Sequence, residues 1–296
     1  NNHGLIITES DVSMALTTHG PDGKIDVEQG TLTFSRSLIA DGLFNINKDA
    51  TLTLGAGINL GFSSSSEIKG FGTLLIPTSS TLTIDPAAIF DQDQNLSLVL
   101  DGSSLVFSND IFVGNLTLFN TTLSDVNNSS LDVLGALSIN NSVIDGFEDV
   151  SAGFIGVTGI SGIGNTTVFH DGELNIFGVN DRLDLLSGGI LSSSSGSGPA
   201  SVTGAGTLNL LTGSDWNVDV PGILMDVAMT LNLNGGFLNS AENLGMPGTV
   251  NINVSNITEF GVITIPTATT LNYAATTPFS PTLGLINNGT LNIRSA

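Results

Sequence analysis

One short phrase recurs along this chain and constrains its fold more than any other feature. Its cleanest copy is Gly206-Thr207-Leu208-Asn209-Leu210, and it returns at Gly30–Phe34, Gly248–Ile252 and Gly289–Ile293. With looser copies included, the phrase begins at Thr31, Thr51, Thr73, Asn95, Asn115, Ala136, Phe154, Glu173, Thr207, Thr230, Thr249, Thr270 and Thr290. All but one of the intervals between neighbours lie between 18 and 23 residues; the exception, from Glu173 to Thr207, is 34. A period of that length, sustained along a chain, marks a solenoid. Each copy alternates polar and apolar residues, the pattern of a strand with one buried face. A single rung cannot bury its own apolar side chains, whereas rungs stacked in register bury them against their neighbours and pair their backbones. The expected fold is all-β: a single elongated parallel β-solenoid (β-helix) of about 13 rungs of 18–23 residues. Nine copies follow a Gly (Gly30, Gly72, Gly114, Gly135, Gly153, Gly172, Gly206, Gly248 and Gly289), a residue suited to a recurring corner by the backbone angles open to it.

Residues 1–30 fit the comb poorly and read as an N-terminal cap over the first rung or as an inter-subunit arm. Leu5-Ile6-Ile7 and Lys24–Val27 read as strands, and Asp11–Leu16 between them as a helical turn with Asp11 as N-cap. Residues 31–296 read as the β-solenoid. Second strand signals follow some copies, as Leu82-Thr83-Ile84 follows Leu74-Leu75-Ile76, with turn residues such as Pro77–Ser80 between. The comb fails at a Ser/Gly-rich stretch, 187–200, which is a surface loop on a rung or a soft joint between two stacks. The loop is preferred, because Arg182–Leu185 and Val202 can supply the missing rung. From residue 207 onward the outward residue of every copy is Asn: Asn209, Asn232, Asn251, Asn272 and Asn292. Stacked amides hydrogen-bond along a strand-stacking axis, so this column reads as structural before it reads as a binding surface.

The last copy stops at Ile293, leaving no sequence for a cap. A bare solenoid end exposes unpaired backbone groups and a slice of apolar core, which invites association. The expected assembly residues are Leu5, Ile6 and Ile7 at one end and Leu291, Asn292 and Ile293 at the other. The chain is then a piece of a longer solenoid, or its partner is itself, in a head-to-tail homopolymer that grows as an open filament if the rotation does not close.

Six Lys and Arg stand against 27 Asp and Glu, a formal net charge of -21. Phosphate neutralisation needs clustered cations, so no nucleic-acid partner is expected. With no apolar run of 18 residues, no membrane insertion is expected either. Cys is absent, which fits an extracellular protein stabilised by stacking and equally a cytosolic one. No initiator Met or signal peptide opens the sequence, which points to a mature or excised segment.

Candidate chemistry is sparse. β-Helices also carry sugar-cleaving and pectate-cleaving sites, which need two facing carboxylates or a base with cationic support. The richest acidic stretches are Asp85–Asp93 and Asp145–Asp149, and neither has Lys, Arg, Trp or Tyr near it in the sequence. They read as solvated turn carboxylates, so no catalytic residue and no cofactor are assigned. Asp91 and Asp93 have the opening spacing of an oxygen-donor calcium loop, but the sixth position is Leu96 rather than Gly. They stay as a weak calcium candidate, and calcium as the one possible ion. His170-Asp171 reads as a turn pair without a nucleophile. Thr31-x-Thr33, Thr51-x-Thr53 and Thr81-x-Thr83 bear a resemblance to the Thr ranks of ice-binding solenoids, although the spacing is uneven. Glycosylation sequons place possible carbohydrate at Asn95, Asn115, Asn120, Asn165, Asn253, Asn256 and Asn288, among others.

The Gly-Thr-Leu-x-Ile comb, with companions such as Pro77–Pro86 and Leu186–Leu191, resembles the repeat regions of large microbial β-strand-repeat surface proteins, including adhesins and autotransporter-passenger-like right-handed parallel β-helices. The resemblance covers residues 30–296. It implies an extracellular, cell-surface location, no cofactor and no catalytic residues. The function expected is structural: a subunit or segment of a surface filament, fibre or layer, assembled by end-on stacking. The alternatives are an adhesin that binds glycans or a partner surface through one solenoid face, and a β-helix polysaccharide lyase or hydrolase.

Overall fold

The computed structural model describes residues 2–91, 95–107, 109–125, 127–193, 200–218, 224–226, 228–240, 244–245, 248–252, 257–258, 263–265, 267, 269–274 and 285–294. The fold is an all-β parallel β-solenoid of about eleven turns, with no helix among the described residues. The count falls slightly below the thirteen rungs expected. The chain divides into two compact units, 1–137 and 138–296.

In the first unit the chain lays short strands on three faces in rotation. One face stacks Leu5–Thr8, Lys24–Val27, Leu43–Ile46, Glu67–Gly70 and Ile89–Phe90. The second begins with Val12–Met14, Gly30–Phe34, Ala50–Leu54, Thr73–Ile76 and Ser97–Asp101, and the third holds Thr18–His19, Leu38–Ala40, Asn59–Phe62, Thr81–Ile84 and Ser104–Val106. Neighbours on each face pair in parallel, so like residues align: Leu32, Leu52, Leu74, Leu98 and Leu116 form one inward column. All five are buried, and each fully buried Leu contributes roughly 1.5–3 kcal/mol. Buried rings from two faces also meet in the core. Phe44 meets Phe62 edge-to-face at 5.5 Å between ring centroids, and Phe62 meets Phe90 at 6.2 Å.

The helical turn expected at Asp11–Leu16 does not form. Val12–Met14 is a strand in register with Leu32–Phe34. Its apolar-polar-apolar order suits a pleat, and backbone pairing with the next turn satisfies more groups than one isolated helical turn does. Asp11 still caps a backbone: its Oδ1 accepts the Thr31 N–H at 2.8 Å.

The second unit is built differently. Two long strands, Asp149–Thr158 and Thr167–Ile176, pair through a bulge between Ala152 and Phe154. Thr167–Ile176 then pairs with two shorter strands at once, Ile190–Ser193 and Ser201–Gly204. A separate face stacks Arg182–Leu185, Thr207–Leu211, Thr230–Asn234, Thr249–Ile252, Thr270–Tyr273 and Thr290–Ile293. Its inward column, Leu185, Leu210, Leu233, Ile252 and Tyr273, is buried.

Arg182–Leu185 and Val202 do lie on strands that follow the Glu173 copy, and the long interval in the comb also includes a change of face. The copies at Phe154 and Glu173 lie on the long strands, and the copies from Thr207 onward lie on the other face. The phrase changes face between Glu173 and Thr207, and Arg182–Leu185 is the strand in between. Of the 187–200 stretch, Ile190–Ser193 is a strand, and 194–199 fall outside the described residues.

The glycines also act differently from expectation. Among the nine that precede copies of the phrase, Gly30 alone is described with a left-handed φ, of 72°. Gly172 is required by close approach instead: a Cβ there would lie 2.2 Å from the Gly153 carbonyl oxygen.

Candidate assembly surface and buried polar clusters

The Asn column forms a continuous amide ladder. The Asn232 Nδ2 donates to Asn209 Oδ1 at 2.7 Å, and Asn251 to Asn232 at 2.7 Å. Asn272 donates to Asn251 at 2.8 Å, and Asn292 to Asn272 at 2.9 Å. The register that aligns them is the register of the strands, so the side-chain ladder and the backbone ladder reinforce each other. Thr207, Thr230, Thr249, Thr270 and Thr290 align in a second outward column beside it.

The ladder has a direction, and one charged residue sets it. Asn209 Nδ2 donates to Asp184 Oδ1 at 2.7 Å. The other oxygen of Asp184 accepts from Arg182 Nε at 3.1 Å and Nη2 at 2.9 Å. An ionised carboxylate only accepts, so the amide beside it must turn its N–H toward it. Every later amide follows, and Asn292 is left with its Oδ1 facing away from the ladder. Neither Asp184 nor Arg182 stood out in the sequence; the signal was a charged pair in register with the Thr and Asn columns.

Both sets of expected assembly residues lie on terminal strands of their sheets. Thr290–Ile293 ends the Thr/Asn face. Leu291 is half-buried, Asn292 is exposed and Ile293 is 64 % exposed. In the other unit, Leu5–Thr8 ends its sheet, with Leu5 59 % and Ile7 49 % exposed and Ile6 half-buried.

Asp91 is buried, and its carboxylate serves the backbone. Oδ1 accepts the Asn95 N–H at 3.1 Å, and Oδ2 accepts those of Leu96 at 2.9 Å and Gly114 at 3.0 Å. Asp93 lies outside the described residues. Among the described residues no three His, Cys, Asp or Glu side chains converge as a metal site.

His170 is no turn residue. It sits mid-strand at an inward position, fully buried, with its Nε2 2.7 Å from Ser193 Oγ. The Trp216 Nε1 donates to the same oxygen at 2.9 Å. Ser193 therefore accepts from the indole and shares a second hydrogen bond with the imidazole. Burial pushes the His170 pKa down to about 4, with the Gly172 backbone and then Asp171 offsetting only part of the effect. Its Nδ1 has no hydrogen-bond partner among the described residues. Sequence reasoning missed this cluster, although the alternation Val168, His170 places the imidazole inward.

The sequons divide by how their side chains are used. Asn115 accepts the Ala136 N–H at 2.9 Å, and Asn165 donates to Asp145 at 2.9 Å. Asn120 and Asn288 are exposed and Asn95 is half-buried, while Asn253 and Asn256 lie outside the described residues. The Thr triplets do not share one face: Thr31-x-Thr33 and Thr51-x-Thr53 stack in register, whereas Thr81 and Thr83 lie on the third face.

No protein-family model, curated protein or solved structure matches this chain. Its class, a parallel β-solenoid repeat protein, rests on the fold itself.

Proposed function

We propose that this chain is an extracellular structural protein, a subunit or segment of a surface filament, fibre or layer that assembles with copies of itself by end-on stacking of β-solenoid turns. The observation that carries this reading is the Thr290–Ile293 edge, where an exposed strand, an apolar side chain and the acceptor end of a directional amide ladder coincide. Such an edge is a template for another strand. The exposed apolar strand Leu5–Thr8 supplies a second surface of the same kind. A structural role also agrees with the burial of His170 and Ser193, which closes this His–Ser pair to any substrate. Six basic side chains in 296 residues leave few sites for trypsin-like proteases, as suits a surface location.

The test is assembly. Purified chain is examined by negative-stain electron microscopy and light scattering beside Ile293→Lys and Ile7→Lys. Filaments from the parent chain, lost in either variant without change in its circular dichroism spectrum, support the proposal. Monomers at all concentrations refute it.

A further inference from the structure

The buried rings of the first unit border a cavity. Phe44, Phe62 and Phe90 pack edge-to-face in succession. The ring of Phe107, buried on the neighbouring face, lies close by. A cavity of about 220 Å³ opens there, walled by Phe90, Phe107, Phe112, Ile84 and Ile111. Its cause is a break in the stacking. The sheet that begins at Leu5–Thr8 stops at Ile89–Phe90, and the following strand Ile111–Val113 pairs instead with Leu131–Val133.

Two carboxylates, Asp85 and Asp110, share the lining with these rings. Each spends one oxygen on a backbone N–H, Asp85 on Ala87 and Asp110 on Ser130, both at 2.9 Å. No ion pair engages either among the described residues. Their second oxygens accompany an apolar wall, and no Lys or Arg is among the described residues that line it.

From these features we infer that the cavity is a binding site for an aromatic ammonium ligand: one ring with a short alkyl arm that ends in a protonated amine. The ring packs against Phe90, Phe107 and Phe112 of the wall, in the edge-to-face arrangement such pairs prefer. The volume suffices, since an apolar cavity of roughly 150 Å³ holds benzene. The ammonium takes the carboxylate edge, where charge-assisted hydrogen bonds to Asp85 and Asp110 give the site its sign preference. An aromatic carboxylate of the same size meets repulsion there, compounded by the net charge of -21.

The test uses the full chain and three probes matched in size: phenethylammonium, 2-phenylethanol and 3-phenylpropionate. Binding is read by saturation-transfer NMR and isothermal titration calorimetry at low and high salt. The expected order is ammonium, then alcohol, then carboxylate, with the ammonium losing affinity as salt rises. Asp85→Asn with Asp110→Asn keeps both backbone caps and is expected to weaken the ammonium about tenfold, to the level of the alcohol. Ala88→Trp, at the cavity wall, is expected to abolish binding of all three. Circular dichroism and a thermal melt confirm that each variant folds. Absence of phenethylammonium binding at millimolar concentration, equal binding of ammonium and carboxylate, or undiminished binding in Ala88→Trp overturns the inference.

Discussion

Acidification should destabilise this protein through His170. The imidazole is fully buried among inward side chains and is hydrogen-bonded to Ser193 through its Nε2. Its pKa is about 4 in the folded chain against 6.5 when exposed. The unfolded state therefore binds the proton first as pH falls. The stability from keeping this group neutral is present in full above pH 6.5 and is lost progressively between pH 6.5 and 4. One pKa unit is about 1.36 kcal/mol, so the loss reaches about 2 kcal/mol at pH 5 and about 3 kcal/mol below pH 4. Other groups titrate over the same range. His19 is also pushed down by burial, and protonating carboxylates relieves the negative charge. The comparison that isolates His170 is therefore parent chain against His170→Leu, each unfolded in urea from pH 8 to pH 4. The variant is expected to be less stable at pH 8, because Ser193 loses its hydrogen-bond partner, and to converge on the parent as pH falls. Parallel stability curves for the two chains across pH 6.5–4 would refute the reasoning.

Two further substitutions test the ladders. Asn251→Ala removes the amide bonds to Asn232 and Asn272 together, at about 1–3 kcal/mol by urea denaturation; an unchanged midpoint would show that the ladder adds nothing to the backbone pairing. Asp91→Ala leaves the Asn95, Leu96 and Gly114 N–H groups without their acceptor. Hydrogen bonds to a charged group are worth about 1.5–3 kcal/mol each, so the variant is expected to melt far below the parent whether or not calcium is present.

The repeated phrase made the fold class legible because period-2 alternation and a rung-length period are both properties of the chain itself. The inward Leu columns and the amide ladder follow directly, since equal spacing puts equal residues in register. What stayed hidden depends on where corners fall. The jump from Glu173 to Thr207 shows in sequence only as a long interval, and the change of face within it shows only in space. Asp11 looks like a helix cap because its residue type suits any exposed backbone N–H, and only the pairing of Val12–Met14 decides which one it takes. Asp91 and His170 were misread for a related reason. Polar side chains normally face water, and these two are held inside by partners a full turn away in sequence, Gly114 and Ser193. The Asp184–Arg182 anchor was equally hidden, because its importance lies in what stacks upon it.

End-on assembly requires that the exposed edges recruit copies of this chain. The mass of the protein in solution, followed by light scattering over a hundredfold range of concentration, addresses that directly. Such assembly predicts a mass that rises with concentration to many times the 30.3 kDa of one chain, with Ile293→Lys held at the monomer value. A parent chain that stays at 30.3 kDa throughout would contradict it.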